Sequence, residues 1–125
     1  MKIIKTSYAP KAIGPYSQGI KYNDLVYTSG QIPLDPNTGE LIKGDFKKEV
    51  EQVLNNVDAV LKEGGSSLDK AIKLTVFVTD LNKFSELNEV FKTFFDENPP
   101  ARSAVEVSGL PMGVRVEIEA VGSVN

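Results

Sequence analysis

The sequence predicts an α+β domain: a single mixed β-sheet with two helices packed on one of its faces. Two observations lead there. Two stretches carry apolar residues at helical spacing, and the segments before, between and after them are short, β-rich and punctuated by Gly and Pro. The resulting order is strands, helix, strand, helix, two strands. Two apolar helix faces and one sheet give both helices a common side to bury. A chain of 125 residues fits one domain, residues 1–125, and no internal repeat or linker divides it.

Gly14, Pro15, Gly19, Gly30, Pro33, Pro36 and Gly39 break the N-terminal third into short strands between turns. Residues 2–6 and 17–22 are strand candidates, and Leu25 to Thr28 is a stronger one because it is β-branched and aromatic. Asp35 to Gly39 has the composition of a turn. Phe46, Val50, Val53, Leu54, Val57, Val60 and Leu61 then fall on one face of a helix, with Asp45 as its cap and Gly64-Gly65 as its stop. From Ile72 to Thr79 the chain alternates, with Ile72, Leu74, Val76 and Val78 on one side and Lys73, Thr75, Phe77 and Thr79 on the other. A second helix opens at Asp80 or Asn82, presents Phe84, Leu87, Val90, Phe91, Phe94 and Phe95, and stops at Pro99-Pro100. Strands near 103–108 and 114–122 complete the chain.

The sheet face without helices is the informative one. In the last strand Val114, Val116, Ile118 and Ala120 should meet the helices, which sends Arg115, Glu117, Glu119 and Val121 the other way. If Val105 and Val107 also face the helices, Arg102 and Glu106 join Glu117 on the far side, with Thr75 and Phe77. Such a face is either a solvated antiparallel surface with incidental charges or a surface covered by another subunit, with a polar pocket at the seam. Phe77 speaks for the second, since large aromatics bury well at interfaces.

Composition excludes several chemistries. With no Cys there is no thiolate nucleophile, disulfide or thiolate metal site, and the chain fits a reducing compartment. With no His there is no Ser-His-Asp triad and no imidazole base or ligand. Acid–base work falls to Glu, Asp, Lys, Tyr, backbone groups or water. The net charge of −3 disfavours a nucleic-acid partner. No run approaches a membrane span or a signal peptide, so the expected location is the cytoplasm.

Arg102 stands where the rigid Pro99-Pro100 loop enters a strand. Its planar fork can hold a carboxylate bidentately, or bridge to Glu106 or Glu117 within the chain. A hydrogen bond to a charged partner contributes about 1.5–3 kcal/mol, enough to orient a small molecule. Glu117 is the acid–base candidate. Glu119 is its same-face neighbour, roughly 6.5–7 Å along the strand. Like charge or partial burial would raise its pKa toward neutrality, although a solvated or salt-bridged carboxylate fits the pattern equally. Tyr16 in Gly14-Pro15-Tyr16-Ser17-Gln18, and Ser29 and Gly30, sit in Gly-containing bends that are either plain turns or a lid and a polar cradle. Neither bend has phosphate-loop spacing. Asn88, polar in an apolar helix segment, is either solvated at the edge of that face or reaches a site.

Several segments together resemble the RidA/YjgF/YER family of imine deaminases. They are Gly14-Pro15-Tyr16-Ser17-Gln18, Thr28 to Pro33, Lys73 to Leu81, Asn88-Glu89-Val90-Phe91, Pro100-Ala101-Arg102-Ser103, Leu110-Pro111 and Val116-Glu117-Ile118-Glu119-Ala120. The likeness runs over essentially the whole chain, and Pro-Ala-Arg-Ser followed by Glu-Ile-Glu-Ala is its signature.

The resemblance implies a chorismate-mutase-like fold and a homotrimer with a barrel-like centre, its sites lying in clefts between subunits. It also implies hydrolysis of reactive enamines and imines (2-aminoacrylate, 2-iminobutanoate, 2-iminopropanoate) to 2-keto acids and ammonia, without metal or cofactor. Carried over, Arg102 clamps the substrate carboxylate and Glu117 positions or activates water. Tyr16 closes over the ligand, Ser29 and Gly30 contact it, Asn88 lines the cleft, and the Ala104 backbone faces the reacting carbon. Many relatives carry Cys where this chain has Ala104, so thiol-dependent behaviour does not transfer. Two other functions stay open: a non-catalytic trimer that binds 2-keto acids, and a ribonuclease or translation inhibitor, against which the acidic balance and missing His count.

Overall fold

The computed structural model describes all 125 residues. It contains strands β1 (Lys2–Ile4), β2 (Gly19–Tyr22) and β3 (Leu25–Thr28), helix α1 (Phe46–Glu63), strand β4 (Ala71–Val78), helix α2 (Phe84–Phe94), and strands β5 (Ala101–Glu106) and β6 (Val116–Ser123). The strands form one six-stranded mixed sheet in the order β1-β2-β3-β6-β4-β5. Only β4 and β5 run parallel, and the connection between them contains α2, as a parallel pair requires. No helix is long and apolar enough to cross a membrane.

The expected stripe of α1 is buried in full, from Phe46 to Leu61. Asp45 caps the helix by accepting from the Lys48 amide at 3.3 Å. The Gly64-Gly65 stop is a Schellman turn. Gly65 (φ 91°) sits in the left-handed region, and the amides of Gly65 and Ser66 donate to the carbonyls of Lys62 and Leu61. Gly64 also lets the helix end press onto the sheet, because a Cβ there would lie 2.7 Å from Ile4 and 2.8 Å from Val26.

The approach to α2 differs slightly from expectation. Asp80 accepts from the Asn82 amide at 2.9 Å and caps a short 3₁₀ turn, Leu81–Lys83, that leads into the helix. Leu87, Val90, Phe91 and Phe95 are buried, while Phe84 and Phe94 are partly so.

Both helices cover the same side of the sheet, where Val26, Leu74, Val76, Val78, Val116, Ile118 and Ala120 complete the core. Ile72 departs from the expected alternation. A register shift between Ala71 and Lys73 makes it the extra residue of a bulge, and it is exposed. Polar groups inside this layer are satisfied. Asn56 of α1 donates to the carbonyls of Ile32 and Leu34, which ties the long loop after β3 to the helix. Gln18 accepts from the Thr6 amide at 2.7 Å and donates to the carbonyls of Thr6 and Pro10, which fixes the N-terminal segment.

Candidate active site

The parity expected for β5 is reversed. Val105 does not face the helices; it is 43% exposed. In the parallel register Arg102 pairs with Leu74, Ala104 with Val76 and Glu106 with Val78, so all three share the helix side with those buried partners. Ala104 packs against the core, and the Glu106 carboxylate accepts from the Leu81 amide ahead of α2. Arg102 and Glu106 therefore do not lie beside Glu117. The physical reason is that β5 is an edge strand next to fully buried positions of β4, and the small Ala104 fits there without displacing α2. Arg115 also departs from expectation. It precedes β6 and pairs with Glu49, a buried carboxylate of α1, with its guanidinium over the Phe46 ring.

Arg102 instead lies against α2. Its Nη1 donates to Asn88 Oδ1 at 2.9 Å, and its guanidinium carbon is 5.0 Å from the ring centres of both Phe84 and Phe91. A cleft of about 380 Å³ opens there, lined by Asn88, Phe91, Phe95, Asp96, Pro100 and Arg102 among others. Asn88 thus reaches the Arg102 site rather than standing in solvent.

Glu117 is on the other side of the sheet. It pairs across β4 with Phe77, and its neighbours Val116 and Ile118 are buried toward the helices. Gly30 lies directly against it: a Cβ at position 30 would come within 2.7 Å of the Glu117 carboxyl carbon. That approach is set by a two-residue bridge, in which the Gln31 amide donates to the Ile118 carbonyl at 2.8 Å and the Ile118 amide returns to Gln31 at 3.1 Å. Burial, and secondarily the charge of Glu119, raises the Glu117 pKa above that of an ordinary carboxylate.

The bends around this carboxylate are held firmly. The Ser29 hydroxyl donates to the Ser17 carbonyl and the Ser29 amide to Gln18, which joins the Gly14–Gln18 bend to the end of β3. Tyr16 is half exposed and borders a larger cleft of about 580 Å³ that also contains Ser17, Gln18, Lys5 and Lys11. Neither cleft contains both Arg102 and Glu117.

The expected site residues therefore separate. Gly30 and Glu117 meet on the open face with Ser29 next in the chain, Tyr16 lies apart in the cleft beside Ser17 and Gln18, and Arg102, Asn88 and Ala104 gather on the helix side of the β5 edge. Sequence reasoning missed Phe84 and Phe91 as neighbours of Arg102, although their spacing from Asn88 at i−4 and i+3 puts all three on one face of a helix. No group of three or more acidic side chains comes together that could hold a metal ion.

Comparison with known proteins gives a consistent picture. Residues 6–124 match the family model described as Endoribonuclease L-PSP. A mouse protein named 2-iminobutanoate/2-iminopropanoate deaminase is 45% identical over 120 residues, spanning 96% of this chain and 89% of its own. The crystal structure of Escherichia coli TdcF with bound serine has a TM-score of 0.94 at 48% identity and covers 98% of each chain. The structure of the YjgF gene product from E. coli has a TM-score of 0.96 at 44% identity, with both chains covered completely.

Proposed function

Because this chain belongs to the RidA/YjgF family, within which relatives are named imine deaminases, we propose that it hydrolyses 2-aminoacrylate and 2-iminobutanoate or 2-iminopropanoate to 2-keto acids and ammonia. The observation that carries the proposal is the state of Glu117, a half-buried carboxylate pressed against Gly30 with its pKa raised by burial. A carboxylate whose pKa is raised is a stronger base toward water than an ordinary one.

The reaction balances with the chain's own groups. Arg102 holds the substrate carboxylate. With the imine nitrogen already protonated, Glu117 takes a proton from water as the water oxygen bonds to the carbon and the C=N electron pair moves to nitrogen, giving a carbinolamine. Glu117 returns that proton to nitrogen, then takes the hydroxyl proton as the carbon–oxygen double bond closes and ammonia leaves, and it passes this proton to the ammonia as ammonium. An imine carbon is already electrophilic, so positioning and proton transfer supply what the step needs. Tyr16, Ser29 and Gly30 border the ligand on the Glu117 side, and Asn88 and the Ala104 backbone border it on the Arg102 side.

Arg102 and Glu117 lie on opposite sides of one sheet, so we place the site at a seam between copies of a homotrimer, with one copy contributing Arg102 and the next contributing Glu117. Ile3, Ile20, Tyr27 and Val121 pair in one row across β1, β2, β3 and β6 with Ile3 and Tyr27 exposed, and a contiguous apolar strip of this kind supports an assembly.

The test is 2-keto acid release from an imine generated in situ. Arg102→Ala is expected to abolish the acceleration while the assembly survives; full activity in that variant would remove Arg102 from the site. A second reading, a trimer that binds 2-keto acids without turnover, draws on the serine found in the TdcF relative. Calorimetric binding of 2-ketobutyrate without imine hydrolysis would favour it. The ribonuclease reading draws on the family model's description. The net charge of −3 and the absence of His weigh against it. RNA cleavage by highly purified protein, lost in Arg102→Ala, would restore it.

A further inference from the structure

We propose that Phe84, Asn88 and Phe91 are positioning residues that hold the Arg102 guanidinium ready before any ligand arrives. The inference rests on the reading of Arg102 as a carboxylate clamp and extends it to the helix behind the clamp.

Residues 84, 88 and 91 stand at i, i+4 and i+7, so one stripe of α2 presents ring, amide, ring. Seven residues rise about 10.5 Å along a helix. The guanidinium lies over both rings, its carbon 5.0 Å from each ring centre. Asn88 Oδ1, midway along the stripe, takes a hydrogen of Nη1 at 2.9 Å. Arg has five donors in one plane. The contact with Asn88 fixes the rotation of that plane, and the donors turned away from α2 remain for a ligand.

An unrestrained arginine has many rotamers to lose when it binds a ligand. The cradle removes that cost in the free protein, which is how preorganisation strengthens binding. It also requires arginine. Lysine carries the same charge but has no plane to lie against two rings and no fork to be oriented.

The chain has only two arginines, Arg102 and Arg115. Their side-chain Nε–H signals can therefore be followed separately by NMR, with Arg115, paired to the buried Glu49, as the rigid internal reference. In the ligand-free protein Arg102 Nε is expected to be as ordered as Arg115 Nε. In Phe84→Leu and in Asn88→Ala, Arg102 should become mobile while Arg115 does not. Affinity for 2-ketobutyrate, measured by calorimetry, should weaken roughly 2- to 30-fold in Phe84→Leu, the range expected for loss of one cation–π contact. Phe84→Tyr, which keeps a ring face, should recover most of that affinity. The saturated rate of imine hydrolysis should change less than the affinity.

A mobile Arg102 in the wild type, or an ordered one in both variants, would overturn the proposal. If Phe84→Leu does not fold, Asn88→Ala supplies the same readout. Undiminished 2-ketobutyrate binding by Arg102→Ala would instead defeat the functional reading, and the NMR measurement would still judge the cradle by itself.

Discussion

On one side of the sheet Leu74, Val76, Val78, Val116, Ile118 and Ala120 are closed under two helices, and no buried side-chain polar atom lacks a partner. On the other side the residues between them, Thr75, Phe77, Glu117 and Val121, stay partly open, and Tyr22, Tyr27 and Val105 are exposed. The same strands build both surfaces. The first is finished within one chain. The second has apolar area, a carboxylate of raised pKa and no cover within the chain.

The sharpest way to break this comparison is at Glu117. Glu117→Gln keeps the shape of the open face and removes its ionisable carboxylate. Imine hydrolysis should fall roughly 10²- to 10⁴-fold, with 2-ketobutyrate affinity retained; an unchanged rate would remove Glu117 from the chemistry. On the closed face Leu74→Ala should cost about 2–5 kcal/mol by urea unfolding. The next residue, Thr75, gives the contrast: Thr75→Ala should change stability little, and similar losses at both would mean the two faces are not distinct.

Assembly is the third comparison. Val105→Asp puts a charge on the open side of the edge strand. Sedimentation should show smaller species while circular dichroism keeps its helical signal, and an unchanged assembly would show that this part of the face is not an interface. The smallest effect concerns pH. A base must be ionised, so the rate should fall on acidification at a higher pH than an ordinary carboxylate would give. Glu119 contributes to the raised pKa of Glu117, so removing its charge lowers that pKa. The acid limb of the rate profile in Glu119→Gln should move to lower pH, and a limb that stays in place would leave burial as the sole cause.

Much of the closed face was legible because its periods are strong. The α1 stripe and the alternations Leu74-Val76-Val78 and Val116-Ile118-Ala120 each have one clear reading, and each is buried as expected. β5 was not legible. Ser103-Ala104-Val105 offers a small residue on one parity and a branched one on the other, and hydrophobicity favours the wrong side. Its orientation is set by the parallel register with β4, a long-range fact that spacing along the chain does not carry. Ile72 was misplaced for a similar reason, since a bulge shifts the register without any marker in composition. Glu49, buried on the core side of α1, is invisible to a polarity pattern because its partner Arg115 lies far along the chain. The candidate site was misread in its geometry, because strand parity decides which groups meet.

The place of β6 has a consequence for how the protein is made. It is the last strand in chain order, yet it lies between β3 and β4. As the ribosome delivers the chain, β3 and β4 emerge with an empty slot between them, and Val26, Leu74 and Val76 have no strand beside them on that edge. The sheet cannot be zipped up from the N-terminus; it closes when residues 116–123 arrive and both edges pair at once. Such closure joins segments distant in sequence, which slows folding and leaves two sticky edges open in the meantime. The strand that brings Glu117 is also the one that ends this exposure, so the half-buried carboxylate and the completed core appear in the same event.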